Sequence, residues 1–419
     1  MFPLTYRYIT AFFRYRFHEG PLSTIRLSSR VNRIKPSPTL AVDARAKELK
    51  AQGKDVISLG AGEPDFDTPE HVKEAAIRAI RNGFTKYTAV DGTPGLKQAV
   101  IAKFRRDNGL DYTPEEILVS VGGKHSFFNL AQALLDNGDE VIIPAPYWVS
   151  YPDMVLLADA SPIVVSAGID QAFKIRPDQL DRTITRKTRL LVINSPSNPT
   201  GAVYTRAELT ALGEVLRKHP NVLIATDDMY EHIMWSDEPF CNILNVCPDL
   251  KERTIVLNGV SKVYAMTGWR IGYAAGPKPL IAAMRKIQSQ STSNPTSIAQ
   301  VAAEAALNGD QGCIAPMVRA FKERHDRVVN RLNKIRGVRC LPSQGTFYAF
   351  PDFSKAIAAT PGVNNDVEMA EYLLNKADVA LVPGSAFGAE GHLRLSYATS
   401  MEMLDKALDR IESLFGTMT

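Results

Sequence analysis

The chain has 419 residues, 45% hydrophobic and 22% charged, with 27 glycines and 26 prolines. This ordinary globular composition excludes collagen-like and low-complexity classes, and the length allows two or three domains around a large core. The net charge of +4 is carried by five arginines against one glutamate in the first 30 residues, leaving 44 charges of each sign in the body, so a nucleic-acid partner is not expected.

Residues 1–22 stand apart. Seven of the first 17 residues are aromatic, and arginines interrupt them every few positions, which excludes a signal-peptide core. They read as an N-terminal extension, either from a start assigned too far upstream or as a basic, acid-poor leader able to lie on an anionic surface. From Leu27 onward the pattern is globular. Lys35–Thr39 reads as extended because of its two prolines. A helix is expected over 40–52 and a strand over 55–59. Next come a turn-rich loop over 60–71 and a helix from Thr68-Pro69-Glu70 to about Asn82, with Thr68 as its cap.

Strands and helices then alternate. Strands are expected at 117–121, 140–143, 161–165, 190–194, 222–226, 255–258 and 271–275, with helices at 127–135 and 154–159. The strands are continuously apolar, which implies burial on both faces and an α/β sheet between helices. Longer helices follow at 280–291, 298–306 and 315–335, then a strand-rich tail with strands at 346–351, 379–382 and 392–397. The expected division is 1–22 extension, 23–66 arm and part of a small domain, 67–305 large domain, and 306–419 small C-terminal domain.

Cys241, Cys247, Cys313 and Cys340 have neither CxxC spacing nor histidines at zinc-finger spacing. Free thiols in a reducing compartment, the cytoplasm, are therefore expected, with no metal. No run of about 18 apolar residues occurs, so no membrane partner is expected.

In an open α/β sheet, ligands sit beyond the carboxyl ends of the strands. Four such ends carry unusual polar groups here. Gly122-Gly123-Lys124 opens a helix, where backbone N–H groups can meet an anion. Ser195 to Gly201 follows the strand at 190–194. Asp227 and Asp228 end another strand, where buried acids need a cation or a metal. Ser261-Lys262 follows a fourth, with Arg270 eight residues on.

These segments, NSPSNPTG (194–201), DDMYEH (227–232), SKVYAMTGWRIG (261–272) and HLRLSYATS (392–400), resemble the fold type I pyridoxal-phosphate aminotransferases, the aspartate aminotransferase family, in order and spacing. The resemblance spans nearly all of Leu27 to the C-terminus. It implies a mostly parallel, mixed seven-stranded sheet in a large domain, with a smaller α/β domain beside it. It also implies pyridoxal 5'-phosphate as cofactor.

By resemblance, Lys262 is the lysine that bonds the cofactor aldehyde and moves the substrate proton, for which it must be neutral. Asp227 faces the pyridine nitrogen and keeps it protonated, improving the ring as an electron sink. Tyr230 and Asn198 hold the phenolic oxygen. Trp148 stacks on the ring, and Trp148 and Asn198 also face the substrate. Arg270, Gly123, Lys124 and Ser261 lie on the phosphate side. Tyr87 reaches the phosphate of a neighbouring subunit, which implies a homodimer with shared active sites. Arg394 grips the substrate α-carboxylate through its guanidinium fork, close to backbone at Gly62. Asp228 is given no catalytic role.

The animal-type and enteric members hold the distal carboxylate with an arginine near position 289, and no arginine stands in 288–300 here. The chain looks instead like the bacterial and plastid branch, in which a lysine at Lys124 takes that carboxylate and some members also convert prephenate to arogenate. Thr39 and Lys124 fall on the pair associated with prephenate, and Lys35 is a second cation in the same arm. The expected reaction is ping-pong amino transfer between L-aspartate and 2-oxoglutarate, with prephenate as a further acceptor. An aromatic or alanine aminotransferase, and a non-catalytic binding protein on the same scaffold, are the competing readings.

Overall fold

The computed structural model describes residues 25–417, so the expected extension at 1–22 lies outside the described residues. The strands, in chain order, are β1 (Ile57–Ser58), β2 (Ile117–Ser120), β3 (Glu140–Ala145), β4 (Ser161–Ser166), β5 (Thr188–Asn194), β6 (Leu223–Asp227), β7 (Thr254–Gly259), β8 (Gly272–Ala275), β9 (Tyr348–Ala349), β10 (Val379–Ala380), β11 (Val382–Pro383) and β12 (Leu393–Ser396). Seven of them form one sheet in the order β2-β8-β7-β6-β5-β3-β4. Only β8 runs against its neighbours, while β3 to β7 pair in parallel.

Consecutive apolar residues explain how this sheet is covered on both sides, because neighbours along a strand point to opposite faces. Leu191 and Ile193 of β5 enter the same core as Ile224 of β6 and Val256 of β7. Leu190, Val192, Ala225, Ile255 and Leu257 enter the core on the other face. β4 departs from the expectation. It is the sheet edge, its Val164 is 43% exposed, and Pro162 sits in it without breaking an inner ladder.

The smaller part is built from both ends of the chain. β1 pairs in parallel with β10, and β12 lies antiparallel between β11 and β9. The expected single strand at 379–382 is therefore two strands in two sheets. The expected strand at 346–351 shortens to β9. The tail is also less strand-rich than expected, with helices over Asp366–Ala377 and Met401–Phe415. Their buried faces, including Met369, Leu373, Leu404 and Ile411, pack with Phe321 and Leu332 of the Ile314–Leu332 helix.

Two helix starts differ from the reading. Pro38 already lies in the first turn of the Pro38–Ala51 helix, whereas 35–39 read as extended. A proline there loses no helical hydrogen bond. Thr68 is not a cap. The Glu70–Arg81 helix starts after Pro69 without a side-chain cap. The Thr68 hydroxyl instead donates to the Ala265 carbonyl (2.8 Å) and accepts from Trp269 Nε1 (3.0 Å), tying the loop before that helix to the segment after Lys262.

Candidate active site

The carboxyl ends of β2, β3, β5, β6 and β7 open on the same edge of the sheet, and β12 approaches them from the smaller part. Between them lies a cavity of about 420 Å³. It is lined by Thr39, Gly62, Gly123, Lys124, Trp148, Asn198, Asp227, Tyr230, Ser261, Lys262, Arg270 and Arg394, twelve of the fourteen residues that sequence reading singled out. Lys35 and Tyr87 do not line it. Tyr87 is 92% exposed on its own chain, and Lys35 lies exposed near Asp153, whose carboxylate accepts from its backbone N–H.

Lys262 is carried just past β7. Its Nζ donates to the Gly62 carbonyl. Burial, followed by the charges of Arg394 and Arg270, pushes its pKa down to about 8. A minor fraction of this amine is thus neutral near physiological pH, far more than in a free lysine.

Asp227 ends β6. One carboxylate oxygen accepts from the Tyr151 hydroxyl, and the other accepts from the Met229 N–H (3.3 Å). Burial raises its pKa, while these two donors and Lys262 oppose the rise. Asn194, the last residue of β5, donates to the Asp227 carbonyl (2.9 Å) and accepts from the Asn198 N–H (2.9 Å), so one side chain sets both loops.

Three further cations line the cavity with Lys262, each from a different segment. Arg270 reaches toward the start of the Gly123–Leu134 helix. Gly122 has φ +83°, and a Cβ there would lie 2.4 Å from Arg270 Nη2, so glycine is what lets the guanidinium approach the helix start. Arg394, 2% exposed on β12, donates from Nη1 to Asn198 Oδ1 (3.0 Å) and from Nη2 to the Gly60 carbonyl (2.7 Å). Its guanidinium lies 4.5 Å from the Tyr348 ring and 4.9 Å from the Phe387 ring, and its Nε is buried without a partner. Lys124 is exposed, with Nζ 5.2 Å from the Trp148 ring. Burial of part of the chain and then Arg270 lower its pKa.

Asp228 corrects an expectation. It needs neither cation nor metal. It accepts from the Thr226 hydroxyl (2.6 Å) and from Asn242 Nδ2. Burial and then nearby Glu231 push its pKa up to about 8, so at neutral pH it is mostly an uncharged acid. Glu231, in turn, is held charged by buried Lys103, with Asn108 (2.6 Å) and Asn258 (2.7 Å) donating to it. Glu231, Asp107 and His232 bring their ligand atoms together, but the Lys103 ammonium already rests on Glu231.

Sequence reading missed Tyr151, Tyr348, Asn194 and Glu63. Tyr151 lies three residues past Trp148, in the first turn of the Ser150–Leu157 helix, a spacing that could have flagged it. Tyr348 sits in the apolar segment GTFYAF and reads as core. Glu63 accepts from the Thr267 hydroxyl (3.0 Å) at the cavity wall.

Residues 54–411 match the family model of aminotransferases class I and II. The chain belongs to this family. The aspartate/prephenate aminotransferase of Nitrosomonas europaea is 64% identical over 397 residues, covering 94% of this chain and all of that one. Among solved structures, the aspartate aminotransferase of Rhizobium meliloti superposes with a TM-score of 0.90 at 48% identity, covering 93% of this chain and 98% of that one. The aspartate aminotransferase of Thermus thermophilus with maleate gives 0.88 at 46% identity, covering 93% and 100%. The fold is that of the fold type I aminotransferases, and the chain is a pyridoxal-phosphate-dependent transaminase.

The residues present fit that cofactor. A lysine of lowered pKa suits its aldehyde, the buried carboxylate at the end of β6 suits a protonated ring nitrogen, and Arg270 at a helix start suits its phosphate. Among the described residues no helix is long and apolar enough to cross a membrane.

Proposed function

We propose that this aminotransferase moves the amino group between L-aspartate and 2-oxoglutarate, and that prephenate is a further acceptor. The observation that carries this reading is the set of three cations, Arg270, Arg394 and Lys124, around one partly neutral lysine in one cavity. A phosphate and the two carboxylates of a dicarboxylic substrate need three such seats. The relatives from Nitrosomonas europaea and Thermus thermophilus, named for aspartate, support the choice. So does the maleate in the second, since maleate is a dicarboxylate.

When bound, pyridoxal phosphate supplies an aldehyde for the amino group and a ring that takes up the electron pair left on Cα. Lys262 would hold the cofactor between turnovers, and its neutral Nζ would be the base that carries the proton away from the substrate Cα. Asp227, oriented by Tyr151 and the Met229 N–H, keeps the ring nitrogen protonated. Asn198 and Tyr230 hold the phenolic oxygen, and Trp148 covers the ring face. Arg270, Gly123 and Ser261 hold the phosphate, with Lys124 on the same side. Arg394, which lines the cavity beside Gly62, would receive the α-carboxylate on its guanidinium. Lys124, with Thr39 near it on the arm, receives the distal carboxylate, and Lys35 adds positive charge to the same arm.

We also read the chain as a homodimer in which Tyr87 completes the neighbour's phosphate site. The exposed apolar side chains of Ile80, Phe84 and Tyr87 on one segment support this. The division at about residues 66 and 305 is supported by two cores, one drawing on Val72 to Leu307 and the other on Ile57, Leu59 and Met317 to Ile411, joined there by Tyr230 and Ile233 from the intervening segment. The cytoplasm is the proposed location.

The test is a half-reaction. Enzyme loaded with amino groups by aspartate is freed of substrate and mixed separately with 2-oxoglutarate and with prephenate, while the visible cofactor band is followed. Fast recovery with both is expected. Recovery with 2-oxoglutarate alone removes prephenate, and recovery with neither removes the substrate assignment.

A further inference from the structure

Tyr348 stands on β9 with 1% of its surface exposed, and its side chain still lines the cavity. Its Oη lies 3.0 Å from Tyr230 Oη. A Cβ on Gly62 would sit 2.9 Å from the same hydroxyl, so the glycine leaves the space that the hydroxyl occupies. Arg394 lies against its ring at 4.5 Å.

A phenol has one proton to give and lone pairs to accept with. Burial raises the pKa of both phenols, so each keeps its proton at neutral pH. Under the cofactor reading above, on which this inference rests, Tyr230 gives its proton to the phenolic oxygen. Its own oxygen is then left to accept, and Tyr348 has a proton to give at 3.0 Å. We propose that Tyr348 is a positioning residue that donates to Tyr230 and, through it, strengthens the hydrogen bond from Tyr230 to the phenolic oxygen of bound pyridoxal phosphate.

Hydrogen bonds in series polarise one another in a low-dielectric site. Arg394 from β12 adds to this, because a positive charge beside Tyr348 favours release of its proton. The other charged groups facing the pair are Asp227 at the end of β6, Glu63, and Lys262, whose Nζ is 5.9 Å from the Tyr230 ring. They remain in place in the variants below, so a change at Tyr348 reads the hydroxyl alone.

The experiment is a pH titration of the visible absorbance of the holoenzyme, without substrate. Stabilising the phenolic oxygen as an anion holds the midpoint of that titration down. Tyr348→Phe keeps the ring against Arg394 and removes only the hydroxyl. It should raise the midpoint by about half a unit, the scale of part of one neutral hydrogen bond. Tyr230→Phe should raise it further. Replacing Tyr348 with a ring-fluorinated tyrosine, a more acidic donor that keeps the hydroxyl, should lower the midpoint. This guards against a Phe variant that folds poorly. A midpoint unmoved by both changes at Tyr348, with Tyr230→Phe still shifting it, overturns the relay alone. A midpoint unmoved by Tyr230→Phe overturns both the relay and the role of Tyr230 on which it stands.

Discussion

Lys124→Gln separates recognition of the second carboxylate from the rest of the reaction. A hydrogen bond between charged partners contributes about 1.5–3 kcal/mol. Lys124 is exposed, so solvent screening places it at the lower end, about 1–2 kcal/mol. That corresponds to a loss of about 5- to 30-fold in kcat/KM for aspartate. Alanine has no distal carboxylate and should lose little. The Trp148 ring 5.2 Å from Nζ is the one complication, since the ammonium also rests against it. Lys124→Met keeps the aliphatic stem over that ring and removes only the charge, so it should show the same split. The assay is steady-state kcat/KM for both amino acids in the parent and the two variants. Equal losses for aspartate and alanine would refute the distal role and leave Lys124 as a support for Trp148.

Three further outcomes are expected. Enzyme stripped of cofactor should capture pyridoxal phosphate faster as pH rises through about 8, because Lys262 attacks only when neutral, and Lys262→Ala should show neither the visible band nor turnover; a capture rate flat across that range would count against the amine. Lys103→Met should cost about 3–5 kcal/mol in chemical denaturation, because it strands buried Glu231, and adding Glu231→Gln should recover part of the loss; a cost below about 1 kcal/mol would show the pair is not needed. Asp228 is near pH 8 when folded and near 4 when unfolded, so the folded state binds its proton more tightly and stability falls as pH rises between the two; Asp228→Asn should therefore gain on the parent from about pH 5 to 8 by denaturation midpoint, and a constant difference would contradict the uncharged acid.

The large sheet was legible because its strands are buried on both faces and so are written as unbroken apolar runs. β4 shows the limit of that rule. Ser161 to Ser166 are apolar enough to read as an inner strand, yet they form the edge with Val164 43% exposed. The small-domain strands were poorly legible because each is two to four residues long and pairs across the chain, as Ile57 does with Val379. Nothing local to 379–383 says that the chain changes sheets between Ala380 and Val382. In the site, the residues of the motifs came together as expected. Those that were missed act on other side chains. Tyr151 orients Asp227, Asn194 joins two loops, and Tyr348 meets Tyr230, and each is a contact between segments that the sequence keeps far apart or hides in apolar context. Thr68 failed for the same reason, since Trp269 Nε1 donates to the hydroxyl oxygen that a cap would have offered, while its proton goes to the Ala265 carbonyl.

The three cations are held on separate elements, and this separates chemistry from selection. Arg270 belongs to the loop after β7 and is let in by Gly122. Arg394 is fixed on β12 by the Gly60 carbonyl, Asn198 and two aromatic rings. Lys124 hangs from the start of a helix with no comparable restraint. The first two are tied down by hydrogen bonds, Arg270 to the Thr267 carbonyl and Arg394 to the Gly60 carbonyl and Asn198, and so are held more firmly than Lys124. An exposed amine on a flexible stem adapts to a carboxylate at more than one distance, and a site that binds the α-carboxylate rigidly and the distal one loosely is suited to both a short dicarboxylate and a bulkier one. Under the proposed function, prephenate and 2-oxoglutarate would therefore meet the same Lys124, with no second pocket needed.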